Sequence, residues 1–335
     1  MANTVSGIDR RLNEHDQKVW ELVSNSAVEN LWKVNVVSAR TVAMRIWKSS
    51  IDDRLFGHAA ELAFYFLFSL FPTLLCASSI LGLAAKSAHQ IYDRLLDYLA
   101  LVLPTSALGT VLTTFNETTA ASSSGKITFG LMAAIWSASV GISACQGTFN
   151  AVYKVVESRS FLKARVYAIG LTIILIVTIS LSLSCMFAGD IGAAWVRAHI
   201  SEVVVRNSLS VLIRLAGWSF ATAFLALSFA VTYFWAPDLR KRRWHWLSPG
   251  AAIGMVGWLV ASVSFRIYLH FFNNYTVTYG SLGAVIILLM WFYITGLMLL
   301  LGAEINSEIE AAAAEKLLAS SRQTSPESSI TASAA

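Results

Sequence analysis

The sequence predicts an all-α, polytopic membrane protein with six transmembrane helices and short amphipathic helices in its N-terminal region and first outer loop. Three observations carry this. Hydrophobic residues make up 56% of the 335 residues and charged residues only 13%, against about 25% charged in a typical soluble domain. The apolar residues fall in long blocks, and several reach the ~20 residues needed to cross a hydrocarbon core about 30 Å thick. The basic residues concentrate in alternate loops, which sets an orientation. Strands of a membrane barrel would be near 10 residues with strict alternation, and none of the blocks has that pattern.

Residues 1–56 form a basic region with eight Lys and Arg, and its first 20 residues are polar. No cleavable signal peptide is expected there, so the first spanning helix drives insertion. Within it, 27–50 interleaves Val28, Leu31, Trp32, Val42, Ile46 and Trp47 with Lys33, Arg40, Arg45 and Lys48. That pattern fits a helix in the headgroup layer, or a soluble helix packed on the cytoplasmic face. The six blocks follow at about 59–85, 128–150, 166–189, 209–235, 247–272 and 282–303. In the long outer loop 87–126, a stripe of Ile91, Leu95, Tyr98, Leu99 and Val102 predicts a short helix ended by Pro104. The domain reading is a basic N-terminal region at 1–56, a six-helix membrane domain at 57–310 and a disordered cytoplasmic tail at 311–335.

With the N-terminus inside, the inner loops hold Lys154, Arg159, Lys163 and Arg165, then Arg240, Lys241, Arg242 and Arg243. With the tails, 18 of the 25 basic residues lie inside. This bias favours both termini in the cytoplasm of a bacterial inner membrane. It also explains the net charge of +5 by anionic lipids at the cytoplasmic face rather than by nucleic acid. Cys76, Cys145 and Cys185 lie in apolar blocks and read as small buried hydrophobes. No HxH, HExxH or Walker loop occurs; neither a cofactor nor a metal is expected. A homo-oligomer stays open.

Ionisable residues in or beside apolar blocks are the functional candidates, because a charge in lipid is costly. Glu61 has His58 and Tyr65 on its helical face, and Pro72 lies mid-block, where it frees a backbone carbonyl. Glu61 reads as a protonatable or cation-binding carboxylate, or as an interfacial acid that snorkels or pairs with an inner-loop Arg. Asp190, Arg214, Arg266 and His270 map near the outer ends of blocks 3, 4 and 5 and could clasp helices or gate a pathway. Glu304 ends block 6, where it could pair with Arg159 or Arg165 or reach water. Gly250 and Gly254 have a small-xxx-small spacing that permits close helix packing. The sequons at 116–118 and 274–276 read as chance matches.

The stretches ELAFYFLFSLFPTLL at 61–75, NAVYKVVESRSFLKARVYAIGLTI at 150–173, YFWAPDLRKRRWHWLSPGAAIG at 233–254 and YGSLGAVIILLMWFYITGLMLLLGAEIN at 279–306 resemble the YihY/BrkB family of bacterial inner-membrane proteins. The resemblance covers about 50–310 and implies a six-helix membrane domain. Residues matching the family pattern are Ala63, Ser69, Pro72, Asn150, Tyr153, Arg159, Tyr279, Gly280, Trp291, Gly302, Ala303 and Glu304. Glu61 and the basic N-terminal region fall outside the pattern. The family carries the labels ribonuclease BN, understood as a misassignment, and virulence factor; neither states a chemistry. The expected function is a transporter or lipid-handling protein of the cell envelope, with Glu61, Tyr65, Pro72, Asn150, Tyr153, Arg159 and Glu304 as inner-vestibule or structural polar residues. A non-transporting scaffold is the alternative, and a membrane enzyme such as a ribonuclease ranks last.

Overall fold

The computed structural model describes residues 14–25, 39–84, 124–241, 244, 246–272 and 281–323. Among the described residues there are eight α-helices and no strand. We label them α1 (Glu14–Asn25), α2 (Ala39–Asp52), α3 (Leu55–Ala84), α4 (Ser124–Val152), α5 (Phe161–His199), α6 (Val203–Trp235), α7 (Pro249–Phe271) and α8 (Ser281–Gln323). The outer-loop helix expected at 88–102, both sequons, Tyr279 and Gly280 lie outside the described residues, as does 26–38 of the amphipathic N-terminal stretch.

Four helices are long and apolar enough to cross a membrane: α5, α6, α7 and, within α8, Leu282–Ser320. The stretch Leu55–Leu70 of α3 is a shorter apolar helix. Helices α3 to α8 close into a ring: each packs on its chain neighbour, and α8 returns to pack on α3 and also touches α4. Neighbours run antiparallel where side chains fix the register. On α5 and α6, the Ser182 hydroxyl donates to the Ala221 carbonyl at 2.8 Å, the Ser228 hydroxyl to Thr178 Oγ1 at 2.8 Å, and Gly189 faces Gly217. Small residues let backbones approach, and packing of this kind drives helix association where lipid gives no hydrophobic gain.

The α7–α8 crossing is tighter still. A Cβ on Gly250 would strike the Gly302 carbonyl oxygen, and one on Gly302 would strike the Tyr233 hydroxyl. Gly254 lies one turn along the same seam, with Tyr233 Oη 2.7 Å from where its Cβ would be. The start of α7 is capped twice. Its own Ser248 Oγ accepts from the Ala251 N–H at 3.1 Å, and Asn306 of α8 accepts from the Gly250 N–H at 2.9 Å. Pro249 takes the first helical turn, where a missing N–H costs nothing.

Two helices overshoot the bilayer by the widest margin. At ~1.5 Å per residue, the 39 residues of α5 and 43 of α8 exceed a hydrocarbon core of about 30 Å. The helix therefore continues through 311–323, where the sequence predicted a disordered tail. The extension is stabilised by packing: Val19, Trp20 and Val23 of α1 are buried in one cluster with Ala311 and Ala314, and Leu318 packs against it. Alanines at these positions favour helix and leave room for α1. Helix α2 ends at a break where Arg54 takes a left-handed conformation (φ 54°), and α3 begins one residue later. The end of the ring that carries α1, α2 and the α8 extension is called the proximal end below.

Candidate functional site

Two polar assemblies meet at the proximal end. The first joins the loop after α4 to the loop after α6. Lys154, in a left-handed conformation (φ 52°), stops α4, and the chain turns back along it. Asn150 then bridges two segments. Its amide donates to Glu157 Oε2 at 2.8 Å, and its carbonyl oxygen accepts from the Asp238 N–H at 2.7 Å. Arg159 grips both carboxylates: Nε meets Glu157 Oε1 at 2.5 Å and Asp238 Oδ1 at 3.5 Å, and Nη2 donates to Glu157 Oε2 at 2.6 Å. Ser158 gives Asp238 two more hydrogen bonds, from its N–H at 2.7 Å and its hydroxyl at 2.6 Å. The Arg159 side chain is only 7% exposed. A buried guanidinium holding two acids is costly to break, since removing one partner strands the others.

The second assembly centres on α8. Glu304 is 1% exposed, and among the described residues neither of its carboxyl oxygens has a hydrogen-bond partner. Its charged neighbours are Asp53, Glu308 and Lys154. Lys154 Nζ lies 3.5 Å from Asp53 Oδ2 and 4.7 Å from the centre of the Trp20 ring. Burial of Asp53 holds its carboxyl above the ordinary 3.8, against the pull of Lys154. Glu308 accepts from the Ser49 hydroxyl at 2.5 Å. Two residues from Glu304, Asn306 donates to Ser248 Oγ at 2.9 Å and lies beside the buried Tyr153 hydroxyl. Beneath lies an aromatic floor: the rings of Phe149 and Tyr233 are 5.6 Å apart, and the Tyr233 hydroxyl donates to the Leu299 carbonyl at 3.0 Å.

The structure thus brings Asn150, Tyr153, Arg159 and Glu304 to one end. It does not form the ion pair between Glu304 and Arg159 or Arg165 that the sequence suggested. Arg159 is held by Glu157 and Asp238, while Arg165 stacks on Trp136 at 4.2 Å and donates to Ser143 at 3.2 Å. Glu61 stands apart on an outward face of α3 with its side chain 49% exposed, 3.4 Å from His58 Nδ1. Tyr65 is half-buried on the same helix, and α3 runs through Pro72 without ending. On the far side of the ring, Arg214 Nε meets Asp190 Oδ1 at 2.9 Å across α5 and α6. Arg266 and His270 are exposed on α7, with the His270 ring against Phe271.

Asp53, Lys154, Asp238, Asn306 and Glu308 were not singled out from sequence. The one available signal was the run Glu304, Asn306, Ser307, Glu308, whose polar density is too high for a helix that simply leaves the bilayer. Among the described residues, no group of three or more His, Cys, Asp or Glu could hold a metal ion.

Comparison with known proteins finds relatives named as membrane proteins. The chain is 34% identical over 251 residues to a ribonuclease-like protein, YfkH, of Bacillus subtilis (strain 168), which covers 74% of this chain and 88% of that protein. It is 27% identical over 279 residues to a UPF0761 membrane protein of Xanthomonas oryzae pv. oryzae (strain PXO99A) and to another, XAC0937, of Xanthomonas axonopodis pv. citri (strain 306). These alignments cover 82% of this chain and 62% of each Xanthomonas protein, so the chain spans less than two thirds of their length. No solved structure matches. The family described as Virulence factor BrkB matches residues 46–326, which extends the resemblance into α2 and along the α8 extension. The chain is a multi-pass membrane protein that belongs to the BrkB family.

Proposed function

We propose that the protein is a transporter or lipid-handling protein of a bacterial inner membrane, and that the proximal end is its inner vestibule. In this reading the chain crosses six times with both termini in the cytoplasm. The lengths of α3 and α4, 30 and 29 residues, support the two crossings beyond the four most apolar helices.

The buried Glu304 carboxyl carries the reading. A carboxyl out of water with no donor is costly, by several kcal/mol if ionised. Such a group is retained in a membrane bundle where a proton, a cation or a polar cargo supplies the missing partner. Tyr153 and Lys154 stand near it with groups that can orient such a guest, while the Asn150–Arg159 assembly ties the loops after α4 and α6 together at the same end. The alternative of a non-transporting scaffold gives no account of an unpartnered carboxyl at this position.

The test is flux through the purified full-length chain in liposomes, with proton movement and scrambling of a fluorescent phospholipid as the two probes. Glu304→Gln keeps the shape and removes the charge. We expect it to fold and to lose at least about tenfold of whichever flux the wild type shows, the scale at which a single buried charge acts. Wild-type flux in the folded variant, or no flux of either kind in the wild type, would overturn the reading.

A further inference from the structure

Helix α2 is inside out for a soluble helix. Its polar side faces the protein. Arg45 forms a two-pronged bond with Glu315 of α8 at 3.1 and 3.0 Å, Ser49 donates to Glu308, and Ser50 is buried. Its apolar side faces outward: Met44, Trp47 and Ile51 are 57, 67 and 53% exposed and share one stripe at i, i+3 and i+7. A helix in water hides such a stripe in the core. Here packing onto α8 buries the polar positions instead, so the outward face has another apolar phase to meet.

That phase is identified by what adjoins the stripe. Two residues after α2 the chain enters α3, whose outward side chains Phe56, Phe64 and Phe68 are also exposed. The stripe is therefore continuous with the lipid-facing wall of the bundle. Lys48, Asp52 and Arg54 are exposed beside it. An exposed Trp among basic residues is the composition of helices that rest between headgroups and acyl chains, and the cations favour an anionic leaflet.

We propose that α2 seats Met44, Trp47 and Ile51 in the headgroup layer of an anionic leaflet while Arg45 and Ser49 clamp the α8 extension, so that the membrane surface positions the helix that carries Glu304. This rests on the bundle lying in a membrane and not on the transport reading.

Full-length protein with its native cysteines replaced is reconstituted in phosphatidylcholine vesicles with or without phosphatidylglycerol. Single nitroxide labels are placed by Met44→Cys, Trp47→Cys and Ile51→Cys. Ser320→Cys serves as the water reference and Ile176→Cys as the lipid reference. Collision with oxygen and with a water-soluble nickel complex is then measured. The expected result is several-fold lower nickel access at all three positions than at Ser320→Cys. Oxygen access should approach that at Ile176→Cys, and the labels should sit deeper with phosphatidylglycerol than without it. Adding Lys48→Glu and Arg54→Glu should abolish the phosphatidylglycerol effect. Nickel access equal to the water reference overturns the proposal, and so does low access to both probes, the mark of a protein partner or second copy. Identical depth in the two lipid mixtures overturns the anionic preference.

Discussion

Lys154 sits at the centre of a charge imbalance. Beside it stand Asp53 from the α2–α3 turn and Glu304 from α8, and Glu308, which Arg45 also faces, adds a further acid to the group. Lys154 alone cannot neutralise both Asp53 and Glu304, and the sequence could not reveal the imbalance because Lys154 lies 101 positions from Asp53 and 150 from Glu304. Asp53 shows the consequence. Burial raises its carboxyl above 3.8, with Glu308 and Asp52 pushing the same way and Lys154 opposing. A carboxyl whose folded value exceeds its unfolded value stabilises the fold below the unfolded value, and that contribution is lost as pH rises through the folded value. Asp53→Asn removes the cost of ionisation. Its unfolding midpoint in detergent should therefore exceed that of the wild type at pH 7, and the gap should close as the pH falls toward 4. A gap that widened on acidification would place the Lys154 pair above burial in importance. Arg159 is the opposite case, a buried cation with its acids close at hand, and its pairing was no more legible because Glu157 and Asp238 arrive on different loops.

At the scale of helices, the two ends of α8 follow different physics. Its first half obeys the bilayer and was readable as an apolar block ending near 303. Its second half obeys packing against α1 and α2, and the apolar signal that marks a span says nothing of it. The Gly250/Gly254 spacing was readable only as a weak hint, because such pairs recur by chance; the structure places both on the α7–α8 seam with Gly302 opposite. Close approach there can be tested directly. Gly250→Ala puts a methyl group against backbone that cannot move aside, so overpacking should cost about 3 kcal/mol and lower the thermal midpoint clearly. Gly170→Ala, with no atom within 4 Å of the new Cβ, should be neutral or gain up to about 1 kcal/mol from reduced freedom of the unfolded chain. Equal midpoints for the two variants in a detergent melt would show that the seam is loose.

For the whole molecule, the ring from α3 to α8 fixes which loops share an end. The loops after α4 and α6 join α1, α2 and the α8 extension, and the α5–α6 turn lies opposite. The orientation proposed from basic residues then makes a definite prediction. Alkaline phosphatase fused after Ser201 should be active, and fusions after Asp238 or at the C-terminus should be inactive, when cells expressing each are assayed. Activity after Asp238 would invert the bundle. The sequence by itself determined the membrane class, the helical fold and the family, because length and apolarity are local properties that the bilayer reads directly. Tertiary structure alone decided that Glu304 has no hydrogen-bond partner among the described residues, that Arg159 belongs to Glu157 and Asp238, and that α2 turns its apolar side outward. Those outcomes depend on how each helix is rotated about its axis and on which loops meet at an end, and both are set by contacts between residues far apart in the chain.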